Sequence, residues 1–161
     1  MNLKRLLILG LVLLATTCTL SAINAEDVAL STSTVQNGVL TLDGLQFKIP
    51  QEFTAVESDQ DNSEPGDAEH IDGTTVDKES STEFRNQNGE KLDIKVGSKT
   101  HSTIETLNLP SAQKKNIAGK DGYFWTEMDD GKTEYNFEYI NNGKVVKIET
   151  YDENLINQIV S

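Results

Sequence analysis

The residues of this chain whose types and spacing suit chemistry are mainly acidic. Asp59, Asp61 and Ser63 stand at the first three ligand positions of a twelve-residue calcium loop. The pattern then breaks. The sixth position, where the sharp turn needs Gly, is Glu64, and the twelfth, where a bidentate Glu belongs, is His70. This disfavours an EF-type loop. A looser, weak calcium site drawn from Asp59, Asp61, Glu64, Asp67, Glu69 and Asp72 stays as an alternative. The weightier expectation is a solvated charge run, because acidic runs without ligand geometry usually only solvate.

Other chemistries leave weaker traces. His70 and His101 are the only histidines, and neither has a partner at the close spacing of zinc-binding helices, so both read as surface residues. There is no G-x-S-x-G and no Gly-rich phosphate loop. With 26 acidic residues, some pair of carboxylates suited to glycosidic chemistry is always available and carries no information. The sequence therefore predicts no catalytic residue and no cofactor beyond weak calcium. An enzyme whose site leaves no sequence signature is kept as a second alternative. In Gly122-Tyr123-Phe124-Trp125, successive aromatics on a strand point to opposite faces, so Tyr123 and Trp125 share one face and Phe124 takes the other.

Charge and composition narrow the setting. The first 25 residues follow an export pattern: Lys4 and Arg5, an apolar run from Leu6 to Leu14, then small residues to Ala25, after which cleavage is expected. An uncleaved anchor and lipid attachment at Cys18 are the lesser alternatives. The leader carries two basic residues and no acidic one, so its removal takes the formal charge from −12 to −14. Phosphate backbones are bound by Lys and Arg, and the only basic cluster is Lys114-Lys115, which argues against nucleic acid as a partner. Cys18 is the single cysteine, so the exported domain holds no disulfide and depends on packing. No later stretch is apolar enough for membrane insertion once the leader is gone, and the expected location is secreted or cell-surface.

The elements that must position these residues follow from periodicity. Residues 26–37 read as a linker, and 38–161 as a single domain interrupted by an acidic loop over 57–79. Residues 57–77 hold eight carboxylates and no Lys or Arg, too little apolar surface to offset the entropy of ordering. Leu40 and Leu42, then Leu45, Phe47 and Ile49, alternate with polar residues about Asp43-Gly44, which fits two strands or one bent strand. Alternation returns in Leu92, Ile94 and Val96, and in three strands at about 122–128, 133–140 and 145–151. Asn88-Gly89, Asp130-Gly131 and Asn142-Gly143 supply the turns, because these pairs tolerate the positive φ of tight hairpins. Asp152 caps a C-terminal helix with Leu155, Ile156, Ile159 and Val160 on its apolar face, and a second short helix is expected over Ser102–Leu107. The expected fold class is α+β: an antiparallel sheet of hairpins and a C-terminal three-strand meander, with one or two helices on one face.

The order of these features is itself informative. Asp43-Gly44-Leu45-Gln46-Phe47-Lys48-Ile49-Pro50 is followed by a central hairpin, Ile117-Ala118-Gly119-Lys120-Asp121-Gly122-Tyr123, Tyr135 to Tyr139, Gly143-Lys144 and the terminal helix. This order resembles small exported proteins of uncharacterised function from methanogenic archaea and, more distantly, the Mog1/PsbP-like α+β sandwich. The resemblance spans roughly Val39 to Val160 and rests on turn and core residues, so it speaks to fold. It implies an accessory or binding role and assigns no site residue. Together these readings predict an exported, non-enzymatic interaction domain whose partner is an extracytoplasmic protein or surface component.

Overall fold

The computed structural model describes residues 34–62 and 69–161. The export leader lies outside the described residues, as do Glu64 and Asp67 of the acidic segment. Strands β1 (Thr34–Gln36), β2 (Val39–Leu42) and β3 (Leu45–Lys48) make a small antiparallel sheet in that order. Its hairpins turn at Asn37-Gly38 and Asp43-Gly44, all four residues at positive φ. Next come β4 (Thr54–Asn62), the short hairpin β5 (Glu69–Ile71) and β6 (Thr74–Val76), then β7 (Lys78–Arg85) and β8 (Lys91–Ser98). The chain ends with β9 (Gln113–Ile117), β10 (Lys120–Asp129), β11 (Lys132–Asn141), β12 (Lys144–Thr150) and helix α1 (Glu153–Val160). Seven of these strands form one antiparallel sheet in the order β4-β7-β8-β12-β11-β10-β9.

Period-two alternation gives that sheet an apolar face. Phe84, Leu92, Ile94, Val96, Phe137, Tyr139, Val146 and Ile148 are buried there against Leu40, Leu42, Leu45 and Phe47 of the small sheet. Each such side chain contributes about 1.5–3 kcal/mol on leaving water. Helix α1 closes the same core with Leu155, Ile156, Ile159 and Val160, and Asp152 caps it by accepting from the Asn154 amide at 3.0 Å. Eight residues do not make a stable isolated helix, so α1 exists through this docking.

Several expectations are corrected. The molecule is mostly antiparallel sheet with a single short helix among the described residues. Residues 102–107 are not helical. Six residues cannot pay the nucleation cost of a helix alone, and this segment instead crosses the sheet, with Ile104 buried and its amide bonded to the Gly143 carbonyl at 2.8 Å. The acidic stretch is not a long loop: β4, the β5–β6 hairpin and β7 run through it. Backbone pairing with β7 holds β4 as an edge strand, which tolerates charge because its outer side faces water. Strand β1 likewise occupies part of the stretch expected as linker. Among the described residues no helix is long and apolar enough to cross a membrane.

Candidate functional site

Behind the apolar face, the alternate residues of the same strands are charged, and several are buried. Asp93 lies on β8, Lys147 and Glu149 on β12, and Glu134, Asn136 and Glu138 on β11, with exposures between 0% and 8%. The ladder sets them in rows. Asp93 stands opposite Glu149, Glu149 opposite Asn136, and Asn136 opposite Trp125 of β10. One step along, Lys95 faces Lys147 and Lys147 faces Glu138, while Glu134 faces Glu127.

Two pieces of chain cover one end of this face. The β5–β6 hairpin and the segment around Ile104 and Leu107 form a small second core with Ile71, Val76, Val145 and Ile140. Gly97 permits the close approach: a Cβ there would lie 2.6 Å from Val76 Cγ1 and 2.8 Å from Ile71 Cδ1. The hairpin turns at Asp72-Gly73, both at positive φ, and Asp72 reaches Lys147 Nζ at 2.7 Å. Thr74 donates to Glu138 Oε1 at 3.4 Å, and the Tyr123 hydroxyl donates to the Leu107 carbonyl at 3.2 Å.

Three ammonium groups thread the patch. Lys91 pairs with Glu134 at 2.6 Å and Asp129 at 3.5 Å. Lys95 pairs with Glu149 at 2.9 Å and Asp93 at 3.7 Å, and Lys147 pairs with Glu149 at 2.7 Å as well as with Asp72. Glu127 and Glu138 take part in no ion pair among the described residues. Acid therefore exceeds base, and the protonation behaviour reflects it. Burial, followed by the charge of Asp72, pushes Glu138 up to about 8. Burial also raises Asp93 to about 7, against the opposing pull of Lys95. For Glu149 burial acts in the same upward sense, but Lys147 and Lys95 together outweigh it and hold this carboxyl well below its usual range.

Among the described residues, four side-chain oxygens of this face are buried without a hydrogen-bond donor: Asp93 Oδ1, Asn136 Oδ1, Glu138 Oε2 and Glu149 Oε2. The last lies within ion-pair distance of Lys95 but outside hydrogen-bond geometry. Such atoms are few in native proteins and each calls for an explanation. Near them, one carboxylate oxygen from each of Glu127, Glu134 and Glu149 lies within 4.8 Å of the others. Trp125, the single tryptophan, is half-buried with Lys147 Nζ 5.3 Å from its ring centre. It lines a groove of about 550 Å³ bounded by Asp72-Gly73 and residues 108–112.

The acidic residues singled out from sequence do not assemble into one site. Asp59 stands on the edge strand β4 opposite Ser81, and Asp61 opposite Glu79, three strands from β12. Glu69 lies on β5 opposite Val76. Of the described members only Asp72 joins the polar face. His70 and His101 are exposed. The residues that do cluster, Glu127, Glu134 and Glu149 with Asn136 beside them, are polar alternates of the strands, which periodicity alone marks only as a second face. No family model, curated protein or solved structure matches this chain.

Proposed function

We propose that this chain is a non-enzymatic binding domain acting outside the cytoplasm, and that it takes its partner in the groove beside Trp125. The observation that carries the reading is a lone tryptophan, half-buried in a groove lined by both apolar and polar residues, on a sheet face left open by the helix and the small sheet. An aromatic body with adjoining polar groups is the usual make-up of a recognition surface. The exposed positions of both histidines favour binding over acid–base or nucleophilic chemistry, which needs a base held in place by a second group. Export rests on the leader, and the proposed partner is an extracytoplasmic protein or surface component. We also infer an α+β scaffold of the Mog1/PsbP-like kind, supported by a large sheet carrying its helix and small sheet on one side.

A photo-reactive amino acid placed at exposed Ser111, which lines the groove with Trp125, tests the reading in the producing cell. It is expected to give a discrete cross-linked partner that disappears on Trp125→Ala. The same label at Gln158, exposed on α1 of the other layer, is expected to give none. Equal labelling from both positions, or no adduct from Ser111, would count against the groove.

A further inference from the structure

We propose that Glu127, Glu134, Glu149 and the Asn136 carbonyl oxygen form a calcium site on the polar face of the large sheet. The proposal stands on its own geometry and is independent of the groove reading. Three carboxylate oxygens from three adjacent strands lie within 4.8 Å of one another. Oxygens this close can share one hard cation, and a partly exposed, irregular set of carboxylate and amide oxygens suits calcium, which accepts flexible geometry, better than magnesium, which demands a near-ideal octahedron.

The second observation comes from Asn136. Its side chain is wholly buried, and its Oδ1 has no hydrogen-bond donor among the described residues. The other end of the same amide donates to Glu127 Oε1 at 3.3 Å, which places the head group at the cluster. On β12 its cross-strand partner is Glu149, and on its own strand Glu134 lies two residues away on the same face. The amide head group thus adjoins the carboxylate cluster while its buried oxygen lacks a donor, and an ion would supply a positive partner.

Register adds a third argument. Glu127 sits directly opposite Glu134, and Asp93 directly opposite Glu149. Like charges in these positions destabilise a sheet unless something offsets them. The lysines do so only in part, since Lys91, Lys95 and Lys147 are shared among five carboxylates and leave Glu127 without an ion pair. When an ion binds, Lys91 retains Asp129 as its partner. The donor set is entirely oxygen, with no thiolate or imidazole, which selects a hard cation.

Trp125 supplies the test, because it is the cross-strand neighbour of Asn136 and the only tryptophan. Terbium, a luminescent substitute for calcium, is added to the purified protein and excited through tryptophan, and calcium binding is followed in parallel by calorimetry. Saturable luminescence displaced by calcium, with one ion per chain, is expected. Glu127→Gln is expected to weaken calcium by on the order of tenfold or more. Glu127 is exposed, so this change spares the fold. Asp59→Asn on the acidic edge strand is expected to leave affinity unchanged, and Trp125→Phe to abolish luminescence while calorimetric binding persists. No heat at millimolar calcium would overturn the proposal, as would binding that survives Glu127→Gln but is lost in Asp59→Asn.

Discussion

Asn136 and Glu149 face each other across the β11–β12 ladder; Lys95 and Lys147 hold the Glu149 carboxylate, whereas the buried Asn136 Oδ1 meets no donor among the described residues. Two acceptors cannot satisfy one another. Such an atom costs about 1–3 kcal/mol of desolvation, which a purely structural sheet could avoid with an apolar pair. The polar face thus carries an energetic cost that packing alone does not explain, and the proposed cation would offset it.

The hairpin that covers this face hangs on Asp72, at 2.7 Å from Lys147. Asp72→Asn keeps the positive-φ turn, which Asn tolerates, and removes only the charge. Because Asp72 is partly exposed and Lys147 retains Glu149, the expected loss is about 1–2 kcal/mol, less than for a fully buried pair. Urea denaturation gives the loss. Hydrogen exchange should show faster opening over 69–76 than elsewhere; uniform acceleration throughout the sheet would argue against a local tether.

Gly97 is the point where that hairpin touches the sheet. A methyl group there meets Val76, Ile71 and the Val145 side chain, the last at 2.9 Å. Gly97→Ala should cost about 1–3 kcal/mol through overpacking and should lift the hairpin. The combination with Asp72→Asn should then be less than additive, because both changes free the same element. A fully additive double mutant would contradict the linkage.

The strands were legible in the sequence, and more of the site was legible than the reading drew from it. Leu92, Ile94 and Val96 marked a core face by alternation, and Asp130-Gly131 and Asn142-Gly143 marked two tight hairpins. Two-residue turns fix register. Glu127 must then fall opposite Glu134, and Asn136 opposite Glu149, as they do. The missing link was burial. Alternation separates two faces but does not say that a distant hairpin and the segment after Thr103 will fold over the polar one. The acidic segment misled for a related reason: net charge reports poor core formation, whereas β4 is held by backbone pairing at a sheet edge. Asp72-Gly73 carried a hairpin signal within it that the charge obscured.

Stability should depend on pH through Glu138 when calcium is removed with a chelator. Its folded value of about 8 lies above the ordinary 4.5, so between these limits the folded state holds a proton that the unfolded chain has released. The contribution is greatest below about pH 4.5 and declines as pH rises toward 8, flattening beyond. Asp93, raised to about 7, acts in the same direction. Glu149 acts oppositely, contributing stability that is lost only as pH falls below the ordinary carboxylate range. Urea midpoints should therefore decline from pH 5 to 8. Glu138→Gln, which mimics the protonated form, should flatten much of the decline, and an unchanged slope would remove Glu138 as its source.

The central claim is that the unmet oxygens of the polar face belong to a ligand site, and Asn136→Leu tests it most directly. Leucine has the same branching, with methyl groups bulkier than the amide atoms, and removes the orphaned amide together with one long hydrogen bond to Glu127. Thermal melts with and without millimolar calcium are the measurement, since an ion that binds only the folded state raises Tm. The expected result is a calcium-free variant as stable as the parent, or up to about 2 kcal/mol more stable, that no longer responds to calcium. A variant destabilised by several kcal/mol, or one whose Tm still rises with calcium as the parent's does, would contradict the account.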